Sequence, residues 1–219
     1  MLDYFAARGV DKVSYHAAAT AKHSASIVSQ GFTENWVCHY ISDNLLKVDP
    51  RPALAATLSH PFFWSQAHLF DGLTVDNMSF LEELEMSGVG DGLALYVFGP
   101  KMRNAYVGLG FADEGAQPNA ADVAEFHAVA QMAHLKYCAI VARHEERVPR
   151  LSRREQETLE WAARGKSNAA IAQILGISKH TVDTLMRRIY EKLGVADRTS
   201  AAIKAIGSGL LQNPNAMLT

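Results

Sequence analysis

Apolar and polar positions alternate at the start of DKVSYHAAA (11–19), which predicts a strand. Residues 34–47 instead set Trp36, Tyr40, Leu45 and Leu46 at helical spacing. Asp49-Pro50 ends that segment, because a residue before proline is pushed out of the helical region. An amphipathic helix is predicted over 77–87, with Phe80, Leu81 and Leu84 on one stripe, and GVGDG (88–92) breaks it. LALYVF (93–98) and NAYVGLGF (104–111) read as two strands of a hairpin joined by GPKMR. A long helix follows. Asn119 is its cap and Asp122 and Glu125 lie in its first turns, while Val123, Phe126, Ala130, Ala133, Tyr137, Ile140 and Val141 recur at three- and four-residue spacing to about 143. The charged stretch RHEERVPRLS contains Pro149 and places a domain boundary at 144–150, separating a domain at 1–143 from one at 151–219. The mixture of helices and strands with a hairpin predicts an α+β first domain of the α/β/α type.

Beyond Leu151 the pattern is entirely helical. Ser152 and Glu155 have capping-box spacing before a helix over 153–164, and Gly165 stands where a left-handed cap is wanted. Ser167 caps a second helix over 168–175, and Gly176-Ile177 makes a tight turn. Ser178 caps a third helix reaching Leu193-Gly194, and a fourth spans about 199–206. Two capped helices joined by a short glycine-containing turn form a helix-turn-helix. On the third helix Val182, Met186, Ile189 and Leu193 share the inward face, leaving Lys179, His180, Asp183, Thr184, Arg187 and Arg188 outside. Such a face of cations, hydroxyls and short polar groups suits phosphates and base edges in a major groove. Asp183 and Arg187 are also spaced for an i, i+4 ion pair that would orient the arginine; the alternative is that Asp183 accepts directly from a base.

Charge agrees with that division. The net charge of -2 over 219 residues splits into -6 over 1–150 and +4 over 151–219, a basic module on an acidic body that fits a polyanionic partner for the module. Two cysteines, Cys38 and Cys138, exclude a disulfide scaffold and fit a reducing cytoplasm. No apolar run has the ~18 residues a membrane helix needs. The start MLDYFAARG lacks the basic and apolar regions of a secretory signal.

The string LSRREQETLEWAARGKSNAAIAQILGISKHTVDTLMRRIYEKLGVADRTSA resembles the GerE/LuxR-type helix-turn-helix. Glu155, Leu159, Gly165, the run from Lys166, Ile177-Ser178, Thr181-Val182 and Lys192-Leu193-Gly194-Val195 carry the likeness. The resemblance implies a four-helix module that binds double-stranded DNA through its third helix and often dimerises through its fourth. It adds Lys166, Ser178 and Thr181 to the DNA-binding candidates.

The spacings of Trp36, Tyr40, Asp49-Pro50, Trp64 and Gly92, with the strings NWVCHY, KVDP and PFFW, resemble the autoinducer-binding domain of quorum-sensing LuxR-type regulators over about 11–143. The resemblance implies a five-stranded antiparallel sheet flanked by helices, a homodimer, and an N-acyl homoserine lactone or related amphiphile as ligand, with no other cofactor. Trp36 would donate its indole N–H to the lactone carbonyl and Asp49 would accept the amide N–H. Tyr40 and Trp64 would pack on the acyl chain and ring, and Phe63 and Gly92 complete the implied ligand set. The chain departs from that family in three ways. Phe32 stands where a tyrosine hydroxyl is common, and Gly108 stands where the last strand often carries serine or threonine. Each lost bond is worth about 0.5–1.5 kcal/mol. The chain also begins close to Trp36, which implies a shortened or absent N-terminal helix.

Other chemistry is weaker. His127, His134 and Cys138 share roughly one helix face but lack a fourth metal ligand. GVGDG is not a nucleotide loop, and neither G-x-S-x-G nor a partnered carboxylate pair suggests catalysis. The sequence therefore predicts a cytoplasmic transcription regulator. The alternatives are a ligand-independent DNA-binding protein whose sensor serves only dimerisation, and an enzyme acting on the lactone.

Overall fold

The structure, a computed structural model, describes residues 2–17, 26–58, 60–112, 117–144 and 149–211. It divides into two compact units, Met1–Arg143 and His144–Thr219. Residues 18–19 of the predicted first strand, 145–148 of the predicted linker and the chain beyond Leu211 lie outside the described residues.

The first unit is built on a five-stranded antiparallel sheet of order β2-β1-β5-β4-β3, with β1 Val10–Ala17, β2 Ser26–Gln30, β3 Phe62–Phe63, β4 Gly92–Val97 and β5 Ala105–Phe111. The predicted hairpin is β4–β5, with Leu93 opposite Leu109 and Ala94 opposite Gly108. Strand alternation gives the sheet two faces. Leu93, Leu95, Val97, Val107, Leu109 and Phe111 face one layer, where Phe5 of the short helix α1 (Leu2–Ala6) and Phe126 and Ala130 of α5 (Ala120–His144) cover them. Ala94 and Tyr106 face the other layer, formed by α2 (Glu34–Ser42), α3 (Arg51–Thr57) and α4 (Val75–Met86). This is the α/β/α sandwich read from the sequence.

Local chemistry sets the helix ends. Asn119 Oδ1 accepts the N–H groups of Ala121 and Asp122 at 2.8 and 3.1 Å and starts α5 as predicted. The predicted segment 34–47 is broken in two: Asn44 takes a left-handed φ of 54°, α2 stops at Ser42, and a 3-10 turn carries Leu45–Lys47. In the second half of α5 the predicted apolar stripe does not continue inward, for Tyr137 and Ile140 are exposed, and His134 and Cys138 are buried instead.

The second unit has α6 Arg153–Ala163, α7 Asn168–Leu175, α8 Lys179–Leu193 and α9 Arg198–Gly207. Leu159, Ile171, Val182, Met186, Ile189, Leu193, Ala201 and Ala205 form its core. Ser152, Ser167 and Ser178 each accept the backbone N–H three residues on, as capping residues do. Gly176 and Gly194 close α7 and α8 with φ of 65° and 63°, a conformation that side chains with a Cβ rarely adopt.

Candidate functional site

The inner face of the sensor unit gathers most of the sequence candidates. Tyr40 leaves the buried side of α2 and donates its hydroxyl to Asp49 Oδ2 at 2.9 Å. Asp49 is fixed because its own N–H bonds Leu45 O at 2.8 Å, while Asn77 Nδ2 ties Val48 O to the start of α4 at 2.8 Å. Asp49 then takes three donors from Arg51. The backbone N–H and Nε meet Oδ1 at 3.0 and 2.9 Å, and Nη2 meets Oδ2 at 2.9 Å. Both residues are buried, Asp49 at 5% and Arg51 at 6% exposure. Burial alone would lower the Arg51 pKa, but the Asp49 carboxylate outweighs it and holds the guanidinium above its ordinary value. The guanidinium lies 4.8 Å from the Trp64 ring centroid and 5.3 Å from that of Phe80. Arg51 was not among the sequence candidates, although an arginine opening the apolar run RPALAATL was a visible signal.

Trp64 lies on a floor of glycines. A Cβ on Gly92 would stand 2.7 Å from Trp64 Cδ2 and Cε2, one on Gly108 3.1 Å from Cζ2, and one on Gly110 3.2 Å from Cη2. Asp91 anchors this arrangement by accepting from Ser65 N at 3.0 Å, Ser65 Oγ at 2.7 Å and Gly92 N at 2.7 Å. Phe32 stacks on Trp64 with centroids 6.5 Å apart, and Trp36 lies 6.4 Å from Tyr40. Trp36 and Phe32 are only partly buried.

Phe63 requires correction. It lies on the opposite face, 6.5 Å from Phe111, because period-two alternation on β3 turns Phe62 toward the Tyr40–Trp64 cluster and Phe63 toward α5. Gly108 does face the cluster, and the hydroxyl it lacks has a near neighbour. Ser14 Oγ of β1 occupies a point 2.5 Å from where a Gly108 Cβ would be. Strand register alone brings Ser14 there, so no local signal could have found it. His16 of β1 packs 5.0 Å from Tyr106 and 6.1 Å from Tyr40, and burial pushes its pKa down to about 4. Burial also holds the Tyr106 hydroxyl above the usual tyrosine range, with Arg51 opposing. Trp64 Nε1, Tyr106 OH and His16 Nδ1 are buried without a hydrogen-bond partner among the described residues.

On the other face, His134 shares a hydrogen bond with the Tyr15 hydroxyl at 2.7 Å, and its Nε2 lies 2.6 Å from Arg103 O. Cys138 Sγ is 3.4 Å from the same Nε2, and His127 Nε2 is 2.9 Å from Tyr96 O. These groups tie α5 to the sheet, and no cluster among the described residues has the makings of a metal site.

In the second unit Lys179, His180, Thr181, Asp183, Arg187 and Arg188 are exposed on α8 and Thr184 is partly so, with Lys166 exposed before α7. Ser178 Oγ is engaged at the helix end, accepting from Thr181 N at 3.0 Å and lying 2.8 Å from Thr181 Oγ1. The Asp183–Arg187 pair is absent among the described residues. Asn168 Nδ2 instead donates to Asp183 Oδ1 at 2.7 Å, and Asn168 Oδ1 accepts from Arg198 Nη1 at 2.8 Å. A relay across three helices thus holds Asp183 and leaves Arg187 outside any such pair. Beneath them Glu155 Oε2 accepts from Ser152 N at 2.6 Å and from Lys192 Nζ at 2.7 Å, joining the start of α6 to the end of α8.

An aromatic, partly polar layer on one face of an α/β/α unit, followed by a helix-turn-helix with a basic outer face, suits a ligand-sensing type of DNA-binding regulator. Comparison with known proteins makes the class specific. The family described as autoinducer binding domain matches residues 1–137, and that described as bacterial regulatory proteins, luxR family, matches 149–205. The chain belongs to the LuxR-type transcription regulators. It is 30% identical over 188 residues to the HTH-type quorum sensing-dependent transcriptional regulator RpaR of Rhodopseudomonas palustris, covering 84% of this chain and 75% of that protein. The crystal structure of Escherichia coli SdiA superposes with a TM-score of 0.67 at 22% identity, covering 96% of this chain and 88% of that one. SdiA in complex with octanoyl-rac-glycerol gives the same TM-score and identity, with coverage of 94% and 85%. At that identity the likeness to the SdiA structures establishes the fold. No described helix is long and apolar enough to cross a membrane.

Proposed function

We propose that this chain is a cytoplasmic, dimeric, non-enzymatic regulator whose sensor unit binds a small neutral amphiphile on the Tyr40–Trp64 face and thereby governs DNA binding by α8. Buried polar groups without a well-formed hydrogen bond, set in a largely aromatic wall beside the Asp49–Arg51 pair, carry this reading. Trp64 Nε1 and the Tyr106 hydroxyl lie close to each other without a well-formed hydrogen bond, and such incomplete pairing in a buried site costs about 1–3 kcal/mol, which a ligand head inserted among them removes. Trp36, Tyr40, Trp64 and Phe32 supply the apolar surface, with Gly92 and Gly108 giving room for the indole. Phe62 takes the place first assigned to Phe63. The acylglycerol bound by SdiA fits a wall of this kind.

On the DNA side, Lys166, Lys179, His180, Thr181, Thr184, Arg187 and Arg188 are the contacts, Ser178 shapes the helix start, and Asp183 is oriented by Asn168. Dimerisation suits the apolar residues left exposed on α5, Met132 at 69% and Ile140 at 47%, and on α9, Ile203 at 62%. The test is a thermal-shift series with acyl lactones and acylglycerols on the full chain, followed by DNA-binding titration with and without the best binder. At a hundredfold excess over Kd the sensor gains about 2.7 kcal/mol. A melting curve unmoved by every amphiphile, alongside intact DNA binding, favours the ligand-independent alternative.

A further inference from the structure

We infer that Arg51 replaces the ligand as the partner of Asp49, so that the sensor selects amphiphiles whose neutral polar head accepts hydrogen bonds and need not donate one. The inference rests on the reading that the Tyr40–Trp64 face binds an amphiphile, and it names the chemistry of the head.

A carboxylate presents about four lone-pair sites. At Asp49 all four are used: Oδ1 by the N–H and Nε of Arg51, Oδ2 by Nη2 of Arg51 and by the Tyr40 hydroxyl. The carboxylate side chain is 0% exposed in this arrangement. A ligand N–H could reach it only by displacing a charge-assisted bond and stranding a buried arginine or tyrosine, and such bonds are the strong ones. The acceptor that an acyl-amide head would use is therefore already taken.

Donors, by contrast, are in surplus. Arginine has five N–H bonds, and Arg51 spends two of its guanidinium N–H groups on Asp49; the other three meet no hydrogen-bond acceptor among the described residues. Stacking near Trp64 and Phe80 keeps that guanidinium in place. Trp64 Nε1, just after β3, and the neighbouring Tyr106 hydroxyl of β5, which make no well-formed hydrogen bond, add further donor capacity. Together they suit ester, ketone or lactone oxygens. Charge decides between a neutral head and a carboxylate. Arg51 and Asp49 already cancel, so an anionic head would bury an uncompensated third charge.

The deciding experiment uses two ligands that differ in one group: N-octanoyl homoserine lactone, and its ester isostere in which oxygen replaces the amide N–H. 1-Octanoylglycerol, which has no N–H, is a third probe. Each is titrated calorimetrically into the full chain and into Arg51→Val. The wild type is expected to bind ester and amide within about threefold of each other, whereas Arg51→Val, with Asp49 freed, is expected to prefer the amide by about tenfold or more. A wild-type preference for the amide of that size overturns the inference, as does an unchanged ester-to-amide ratio in a folded Arg51→Val. If that variant does not fold, the wild-type ratio still decides. Failure of all three probes to bind the wild type overturns the amphiphile reading itself and the inference with it. A clear amide preference overturns the inference alone.

Discussion

Replacing Gly92 with alanine tests how the sensor wall is assembled. The new Cβ would stand 2.6 Å from the Leu109 carbonyl oxygen and 2.7 Å from two ring atoms of Trp64, so each gap must open by 0.7–0.8 Å to reach the 3.4 Å of ordinary contact. Leu109 O belongs to the backbone of β5, which is paired to β4 by Gly92–Gly110 and Leu93–Leu109, and it cannot retreat without straining that ladder. Overpacking of this kind costs about 1–3 kcal/mol. Alanine recovers up to about 1 kcal/mol by restricting the unfolded chain. The contact with backbone puts the gross cost at the upper end, and the net expectation is about 2 kcal/mol. Trp64→Leu removes the ring contact but not the carbonyl contact, so Gly92→Ala should cost about 1 kcal/mol less in that background, a coupling of the size found between touching residues. Urea denaturation followed by fluorescence, in a Trp161→Phe background so that Trp36 and Trp64 report, or Trp36 alone once Trp64 is replaced, measures both values. A Gly92→Ala protein within 0.5 kcal/mol of its parent, or a cost unaffected by Trp64→Leu, would refute the placement of the indole on the glycine floor.

Three further outcomes are open to measurement. His16 has a folded pKa of about 4 against 6.5 unfolded, so the unfolded chain takes up a proton first as pH falls. The sensor should lose up to roughly 3 kcal/mol between pH 6.5 and 4, and His16→Phe should flatten that loss in denaturant titrations at stepped pH; an equal slope in the variant counts against it. Glu155→Gln should destabilise the helix-turn-helix by about 2 kcal/mol, because it weakens the buried tie to Lys192 and Ser152. Lys192 and Ser152 hold that carboxylate below its ordinary pKa against the effect of burial, so the contribution is present above about pH 4.5 and is lost as pH falls through the folded value; Lys192→Met should then add little to Glu155→Gln, and full additivity would exclude the coupling. Asn168→Ala should free Asp183 and change the bases selected opposite it in a binding-site selection, whereas Arg187→Ala should cost about 1–3 kcal/mol of DNA affinity and blur one base position. An unchanged motif for Asn168→Ala would show that the relay does not orient Asp183.

The sequence by itself determined the features that short-range chemistry controls. The first three helices of the C-terminal unit were legible because each starts at a serine cap and is followed by a left-handed glycine, and because Val182, Met186, Ile189 and Leu193 repeat with the helix period. The β4–β5 hairpin and the cap of α5 were legible for the same reason. Tertiary structure decided everything that depends on which strand lies beside which. The two-residue strand β3 is too short for its alternation to be read, so the choice between Phe62 and Phe63 waited on its pairing with Leu93 and Ala94. Ser14 meets Gly108 only through the β1–β5 register. Arg51 shows the limit most clearly. The family resemblance implies that Asp49 is an open acceptor, but the fold buries Arg51 beside it, and in a medium of low dielectric a buried carboxylate holds the nearest cation that can reach it. Spacing likewise favoured an Asp183–Arg187 pair along one helix, yet Asn168, fifteen positions away, reaches Asp183 across the turn. Local propensity is written in the order of residues; competition among partners for a buried or oriented charge is settled only when distant segments pack.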